Sequence, residues 1–559
     1  MEAFMAALDA ANAVVWADAV LYIVLGVGIL FTFWSGFGQY RALTHGFQVI
    51  RGKYDDSDDP GAINHFQALS AALSATVGLG NIGGVAIAIG LGGPGAVFWM
   101  WMIGIAGMAL KTSEVTLSMI YRNTDDPKNP HGGPMYVADR GFAERGWPRL
   151  GKAIGVIFCA TLMVSVVTGG NMFQAWNVAA VTHAYFGVPQ LVTGVVLAIL
   201  TGAVILGGIE RIGEVAGRLV PFMCLIYIGA AFFVIGVNIT EVPRSFGLIL
   251  SSAFSTSEGQ GAFIGGTAGY AFLWGMKRAL FSSEAGQGSS PIAHAAARTS
   301  EPVREAVVAG LEPFIDTIVV CTITALVILT SGVWNRPADL PFTTAPRVIA
   351  SADGQWTLET RPFTPPAGDS WTDGDQVFAV VGDVEAADTD GRIKVPGTLQ
   401  AAGGGSFMVT WSPIEASVVA GATQPAVMEG GAFFSYPGAT LTAKAFDATA
   451  DGLGMWLVSL AAWLFAISTM ISWSYYGEQG IIYLFGDRAV SPYRVVYCLL
   501  IIVATIPWLM RTDAELDTFT SLGTGVMLWS NVPIMVIFGG VAMKAYKKYM
   551  ADLDAGKFD

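Results

Sequence analysis

Charged residues, cysteines and histidines are all scarce in this chain of 559 residues. Asp, Glu, Lys and Arg together make up 13% of it, whereas apolar residues make up 53%. The four cysteines lie in apolar runs without disulfide or metal-binding spacing, so we expect them to be buried as small hydrophobic side chains. The scarcity of charge argues against an ordinary soluble domain, and the composition predicts an integral membrane protein.

Signatures of enzymes are also missing from the sequence. It contains no metal-ligand cluster, no nucleophile elbow and no histidine paired with a carboxylate in a plausible site. The N-terminus lacks the short apolar core and small-residue cleavage site of a secretory signal, so its first apolar run is expected to be a retained membrane span. We therefore expect neither an enzyme nor a nucleic-acid-binding protein.

Apolar runs that approach the roughly 20 residues needed to cross a bilayer recur along the chain. Counting by apolar length predicts about eleven transmembrane helices. They lie at approximately 14–36, 65–91, 95–120, 151–182, 189–208, 218–238, 262–296, 305–333, 452–485, 492–511 and 516–545. Basic residues concentrate in alternate connections, and the positive-inside rule places those connections in the cytoplasm. The N-terminus is then expected outside and the C-terminus inside, in the plasma (inner) membrane.

One polar stretch, 334–450, does not belong to the membrane. It separates two predicted parts of the transmembrane core, 1–333 and 451–549, and residues 550–559 would form a cytoplasmic tail. Segments within it have the alternation of short strands between turns, at 376–381 and 406–411. A connection of this length is usually functional or separately folded. We predict a small β-rich extracytoplasmic insert, and we expect its removal to leave the helical core intact.

Two glycine-rich breaks interrupt otherwise apolar segments, at 74–84 and 280–291. Lipid offers no hydrogen bonds, so backbone freed at membrane depth is tolerated only inside protein or against a hydrated cavity. Paired broken helices are the usual way in which a secondary transporter builds its substrate and ion site. Ten spans remain after the first, and they divide into two halves of five spans. Each half would begin with a broken helix. The sequence therefore predicts an all-α membrane protein with a 5+5 inverted repeat.

The first break offers both poles that a zwitterion requires. Gly78 and Gly80 let the backbone leave the helix, which would expose amide groups of Leu79, Gly80 and Asn81 to a carboxylate. Carbonyl groups around Ser74 and Val77 would face Na⁺ or an ammonium group. The alternative is a glycine-rich packing surface between helices. Asn81, at the centre of the break, favours a binding function.

The second break contains Gly286 as its expected unwound point and Glu284 as a costly intramembrane carboxylate. Glu284 could brace the broken backbone, form an ion pair with Lys277 or Arg278, or bind the coupling cation directly. His294 follows this break without a titratable partner nearby in the sequence, so helix capping or packing is favoured for it.

Polar groups occur in two further apolar spans. Gln174 is well placed on its helix to bond an amino or carboxyl group, with polar helix packing as the alternative. Ser468 and Thr469 offer adjacent hydroxyl groups to Na⁺, although hydroxyls in membrane helices more often bond their own backbone. Trp473 follows one turn later and could close a small pocket or pack in the core.

Five ordered motifs resemble the signature of the alanine/glycine:cation symporters. They are NIGGVAIAI at 81–89, GGPGAVFWMW at 92–101, GGPMY at 132–136, LFSSEAGQGSSPIAHAAA at 280–297 and SWSYYGE at 472–478. The resemblance covers nearly all of the chain outside 334–450. Two positions depart from the family pattern, because Leu79 stands where Thr is usual and Ser283 where Asn is usual. These departures leave the identity of the substrate open.

The resemblance implies a sodium-coupled importer of small neutral amino acids with a leucine-transporter-like fold. By motif match, the amino acid would lie among Asn81, Gln174, Phe281 and Trp473, and Na⁺ among Ser74, Val77, Ser468 and Thr469. One alternative is a related sodium:solute symporter with another small amino-acid substrate. Another is a sensor that kept the transporter fold and signals through the insert. The sequence does not predict the oligomeric state.

Overall fold

The computed structural model describes residues 2–506 and 513–558, except 343, 351–354, 364–371, 387–388, 390, 404–405, 415, 420 and 437. The fold is mainly helical. Helices longer than ten residues span Glu2–Val15, Asp18–Trp34, His65–Thr76, Gly95–Tyr121, Pro134–Glu144, Pro148–Val167, Phe173–Phe186, Gln190–Ile205, Gly208–Val237, Val242–Ser252, Ala268–Ser283, Leu453–Phe485, Val490–Ala504 and Asp513–Asp554.

Shorter helical segments connect or extend these helices. The short α-helices are Gly38–Arg41, Phe47–Ile50, Val85–Gly92, Ser290–His294, Pro302–Ala309, Thr322–Ser331 and Ala439–Asp447. Four segments are π-helical, Ala42–Gly46, Gly80–Gly84, Thr168–Met172 and Phe314–Cys321, and three single 3₁₀ turns lie at Ile239–Glu241, Val333–Asn335 and Asp487–Ala489. Wide π-turns recur at functional sites, and three of these four contribute residues to the region described below.

Seven helical stretches in the described part of the chain are long and apolar enough to cross a membrane, or eight if one bent pair counts as a span. A multi-pass membrane protein is therefore confirmed, but eleven spans and the inverted repeat remain predictions. Two of the predicted spans form helices of only about 15 residues, Gln190–Ile205 and Val490–Ala504. The predicted end of the latter span, 507–511, lies outside the described residues.

Both predicted helix breaks are present in the structure. The helix His65–Thr76 begins at an Asn64 cap, whose Oδ1 accepts from Gln67 N at 2.8 Å. It ends at Thr76, and Gly80–Gly92 continues after a bend of 52°. At the second break, Ala268–Ser283 ends at Glu284, whose φ of 53° is left-handed, and helix resumes at Ser290. The glycine clusters thus mark real interruptions of helical structure.

Eight strands occur in the described part of the predicted insert. They are β1 Leu340–Pro341, β2 Val348–Ala350, β3 Trp356–Leu358, β4 Pro362–Phe363, β5 Gln376–Gly382, β6 Ile393–Gly403, β7 Ser406–Trp411 and β8 Ala426–Phe434. Six form an antiparallel sheet in the order β1-β8-β5-β6-β7-β4, and β2 pairs with β3. The strands expected at 376–381 and 406–411 are confirmed as β5 and β7.

The end of the predicted insert is a buried helix, Ala439–Asp447, which packs on the membrane helices. Its Thr442 Oγ1 donates to the carbonyl of Ile82 at 3.0 Å, inside the first broken helix. A Cβ on Gly83 would lie only 2.9 Å from the Ala439 amide nitrogen, so this close approach requires glycine. The polar stretch therefore includes an element that supports the helical core.

Candidate functional site

A small cavity lies between the two helix breaks and has a volume of about 20 Å³. Such a volume holds about one water molecule. Six of the residues predicted for the site contribute to its wall: Gly80, Gln174, Phe281, Glu284, Thr469 and Trp473. The full wall is Ala75, Thr76, Gly78, Gly80, Ser165, Gly169, Gln174, Phe281, Ser282, Glu284, Gln287, Thr469, Trp473 and Thr524. The other predicted residues lie beside this cavity or further away.

Two buried oxygen atoms in this wall, Thr469 Oγ1 and Gln174 Oε1, have no hydrogen-bond partner among the described residues. Both approach the first helix break, because a Cβ on Gly78 would lie 2.8 Å from Thr469 Oγ1 and 3.9 Å from Gln174 Oε1. The amide end of Gln174 is held in place, since Nε2 donates to Gly169 O at 3.1 Å. Buried polar atoms in folded proteins normally have a hydrogen-bond partner, so these two oxygens are candidate ligand-binding atoms.

Two aromatic residues, Trp473 and Phe281, pack closely on glycines around the cavity. A Cβ on Gly80 would lie 3.3 Å from the Phe281 ring, and one on Gly170 would overlap Trp473. Phe281 also meets Phe173 edge to face, with ring centroids 5.6 Å apart. Phe173 lines a second, larger cavity on the other side, so this aromatic pair lies between the two.

The Asn81 side chain ties the first break to two other segments instead of lining the small cavity. Its Oδ1 accepts from Gly78 N at 2.8 Å, and its Nδ2 donates to Ser282 Oγ at 3.0 Å and to Asp316 Oδ1. The Asn81 backbone amide donates to Gly78 O at 3.1 Å, so this amide is not exposed as the sequence suggested. Asn81 therefore holds the conformation of the break.

The residues predicted for Na⁺ lie at the contact between the first broken helix and Leu453–Phe485. Ser74 Oγ donates to Ser468 O at 2.7 Å, and Ser468 Oγ lies 2.9 Å from Phe465 O in its own helix and 3.3 Å from Ser74 O. Val77 is fully buried and extended, at the point where the helix ends. The structure thus brings Ser74, Val77, Ser468 and Thr469 to one junction.

Leu79 and Gly286 have surroundings different from those predicted. Leu79 contributes to the wall of the larger cavity. Gly286, with a φ of 81°, forms part of the second break, and its carbonyl accepts from Asn531 Nδ2 at 2.9 Å. Neither lines the small cavity.

The Glu284 carboxylate braces the second break. It accepts from Ser289 Oγ at 2.5 Å, across the turn that separates the two helices. The ion pair with Lys277 or Arg278, considered from the sequence, is not formed among these described residues. Lys277 instead lies over the Trp16 and Trp274 rings, and Arg278 lies over Trp274.

A buried network of ionisable residues was missed by the sequence analysis. His294 contacts Glu305 through Nδ1 at 2.5 Å and Glu312 through Nε2 at 2.6 Å, and Glu305 also contacts His65. Lys111 Nζ donates to Glu312 Oε2 at 3.0 Å, and all five side chains are at most 1% exposed. Helix capping or packing was favoured for His294 because no titratable partner is nearby in the sequence, but the structure pairs its side chain with two carboxylates.

The reason for this error is the distance along the chain. The partners of His294 follow 11 and 18 residues later, in the next helical stretch, Pro302–Ser331. Two carboxylates seven residues apart in that apolar stretch, Glu305 and Glu312, were the available signal, because intramembrane charges require partners.

Comparisons with known proteins cover nearly the whole chain. The family model described as "Sodium:alanine symporter family" matches residues 1–359 and 408–559. The chain is 35% identical to the sodium/alanine symporter AgcS of Methanococcus maripaludis over 549 residues, which are 98% of this chain and 97% of that protein. It is 33% identical to the putative sodium/proton-dependent alanine carrier protein YrbD of Bacillus subtilis, over 98% of this chain and 92% of that protein. The probable sodium/glutamine symporter GlnT of Bacillus subtilis matches at 37% identity over 62% of this chain and 70% of its own.

Proposed function

Because this chain belongs to the sodium:alanine symporter family, we propose that it imports a small neutral amino acid, alanine or glycine, together with Na⁺ by alternating access. The observation that carries the proposal is the convergence of two unpartnered buried oxygens, Thr469 Oγ1 and Gln174 Oε1, on the first helix break. Leaving a buried acceptor without a partner costs about 1–3 kcal/mol, which a bound cation or ammonium group would offset.

The proposed Na⁺ site uses oxygen atoms only. Thr469 Oγ1 has no partner among the described residues and would bind the ion first, with carbonyls near Ser74 and Val77 completing the site. The hydrogen bond from the Ser74 hydroxyl to Ser468 O already holds the two helices together, which fixes the spacing of these carbonyls. Hard cations prefer oxygen ligands of this kind, and a carbonyl can serve two partners because it has two lone pairs.

The amino acid would lie in the small cavity with its ammonium group near Gln174 Oε1. Its carboxylate would face amide groups at the start of the half-helix that begins at Gly80, where the helix dipole favours an anion. Phe281 and Trp473 would limit the size of the side chain. Asn81 and Glu284 would act as positioning residues that hold the two breaks.

In this proposal, the described structure corresponds to a state in which the transport site is closed. A cavity of about 20 Å³ is too small for alanine, so binding requires movement of its wall. The Phe173–Phe281 pair is the natural place for that movement, because it lies between the small cavity and a larger one. We propose a plasma-membrane location, with the N-terminus and insert outside and the C-terminus in the cytoplasm.

Uptake into proteoliposomes tests the cation site. We expect labelled alanine to accumulate only with an inward Na⁺ gradient. Thr469→Val should raise the Na⁺ concentration for half-maximal uptake about tenfold, because a buried ligand is lost. Thr330→Val is the matched control, since its hydroxyl is already bonded to Leu326 O in its own helix at 2.7 Å. Full uptake driven by a proton gradient without Na⁺ would exclude sodium coupling.

Binding measurements test the amino-acid site. Gln174→Ala should weaken alanine binding by about 1–3 kcal/mol. Asn177→Ala is the control, because Asn177 Nδ2 donates to Phe173 O in its own helix at 2.8 Å. Trp473→Ala should admit larger side chains, and glutamine belongs in the substrate panel because of the relative GlnT. If Gln174→Ala binds alanine normally, the amino acid lies elsewhere.

A further inference from the structure

A second cavity, of about 360 Å³, lies where the β-sheet meets the first broken helix. The sheet contributes Phe378 from β5 and Lys394 from β6, and Lys394 is the register partner of Val380. Phe378 and Lys394 lie in the segment 360–407, between the two parts matched by the family model. The helical side is formed in part by Ile87 and Arg278. Part of the wall therefore comes from outside the region that the family model describes.

The charged residues of this wall all have the same sign. They are Arg278, Arg336 and Lys394, and no Asp or Glu belongs to the wall in the part of the chain that the structure describes. Arg336 forms an ion pair with Asp339 at 2.8 Å, whereas Lys394 Nζ lies 4.6 Å from the centroid of the Phe378 ring. Burial and the Arg336 charge lower the pKa of Lys394 to about 8, so it remains largely charged at neutral pH. The wall thus favours an anion.

The rest of the wall is strongly apolar. Its aromatic side chains include Trp176, Trp274, Trp334 and Phe434. A volume of about 360 Å³ falls within the range of small-molecule sites, which have mainly apolar walls and a few polar groups. An occupant that fits both properties carries one carboxylate and an apolar body. A free amino acid fits less well, because the described wall offers its ammonium group no Asp or Glu side chain.

We propose that this cavity binds an amphipathic monocarboxylate, an aliphatic or aromatic acid without an amino group, between the sheet and the broken helix. Lys394 recognises the carboxylate, since charge-assisted hydrogen bonds are the strong ones. The aromatic residues bury the apolar body. A ligand held in this way joins the sheet to the helix Gly80–Gly92, in a cavity that the Phe173–Phe281 pair separates from the proposed transport site.

Calorimetric titration of the purified full chain in sodium-free buffer tests this proposal, with 3-phenylpropionate as the probe. We expect 3-phenylpropionate to bind at least tenfold more tightly than the neutral 3-phenylpropionamide, and phenethylamine not to bind. Lys394→Gln should weaken binding of the carboxylate about tenfold or more. Arg347→Gln is the matched control, because Arg347 is exposed on the insert and lies outside the cavity wall.

A second variant tests occupancy without removing a charge. Gly90 is in the wall, and a Cβ built on it meets nothing within 4 Å, so Gly90→Leu should fill the cavity while the helix tolerates it. We expect Gly90→Leu to abolish binding. Gly229→Leu is the control, since Gly229 is equally open and lies in Gly208–Val237 outside the cavity wall.

Three results would overturn the proposal. Equal affinities for the acid and the amide would indicate a purely apolar pocket. Binding that survives Gly90→Leu would place the probe elsewhere, including in the detergent micelle. Displacement of the probe by alanine would make the cavity part of the transport path. Loss of Na⁺-dependent uptake in the same protein would contradict only the proposed transport function, because the titration contains no Na⁺.

Discussion

The buried ion pair between Lys111 and Glu312 provides a quantitative test of the structure. Lys111 Nζ lies 3.0 Å from Glu312 Oε2, and both side chains are 0% exposed. Removing one partner of such a pair leaves a charge in a region that water cannot reach, which typically costs 3–5 kcal/mol. Lys111→Met should cost less than this, about 2–3 kcal/mol, because Glu312 keeps its contacts with His294 and Ser290. Glu312→Gln should cost about 3–5 kcal/mol, since it removes the nearest carboxylate from both Lys111 and His294.

The double variant Lys111→Met, Glu312→Gln distinguishes pairing from simple loss of packing. No charge is stranded at this pair when both partners are neutral, so the double variant should cost at least about 2 kcal/mol less than the two single variants added together. Each free energy of unfolding is measured in mild detergent by raising the fraction of a denaturing detergent.

An exposed ion pair provides the control for this cycle. Arg218 Nη2 lies 2.9 Å from Glu214 Oε1, a similar distance, but the two side chains are 81% and 58% exposed. Exposed pairs contribute about 0–1 kcal/mol, so Arg218→Met should change stability little. The reasoning would be refuted if Lys111→Met were no more destabilising than Arg218→Met.

Two further predictions concern the packing of the small cavity and the charge of the insert. Gly170→Ala should displace Trp473, cost about 1–3 kcal/mol of stability and raise the alanine concentration for half-maximal uptake. Burial lowers the pKa of Lys394 from 10.5 to about 8. Between these pH values, Lys394 therefore keeps its proton in the unfolded chain but has lost it in the folded chain. Stability should therefore rise by up to about 3 kcal/mol across this window, and unfolding at pH 7.5 and pH 10 should show that Lys394→Met removes the slope.

Local features of the fold were predictable because they depend on short stretches of sequence. Glycines at 78 and 80, and at 286 and 288, mark the two places where the helices end. Short apolar runs between turns likewise predicted β5 and β7. The number of spans was harder to predict, because apolar length does not show where a helix is broken or ends early.

The contacts within the site were less predictable because they join distant parts of the chain. Asn81 was expected to face the amino acid, but its side chain bonds to Ser282 and Asp316, more than 200 residues away. The motifs predicted Gln174, Phe281, Thr469 and Trp473 for the site, and the structure brings these four residues to one cavity wall. Which polar atoms lack a partner became visible only in three dimensions.

Composition and packing place the end of the removable insert at different residues. The sequence suggested that the insert could be removed without harm to the helical core, but Thr442 bonds to Ile82 and the helix Ala439–Asp447 is buried against the core. Asp339 Oδ2 accepts from Phe434 N at 2.9 Å, so a short linker can replace 340–434 without moving its ends.

We expect a chain without 340–434 to retain Na⁺-dependent alanine uptake in proteoliposomes. Deleting 340–447 should abolish uptake, because the first broken helix then loses the buried surface of Ala439–Asp447 and the hydrogen bond to Ile82. Equal activity of the two deletions would show that this helix does not support the site. Loss of uptake in the shorter deletion, with the protein still folded, would instead make the sheet itself necessary for transport.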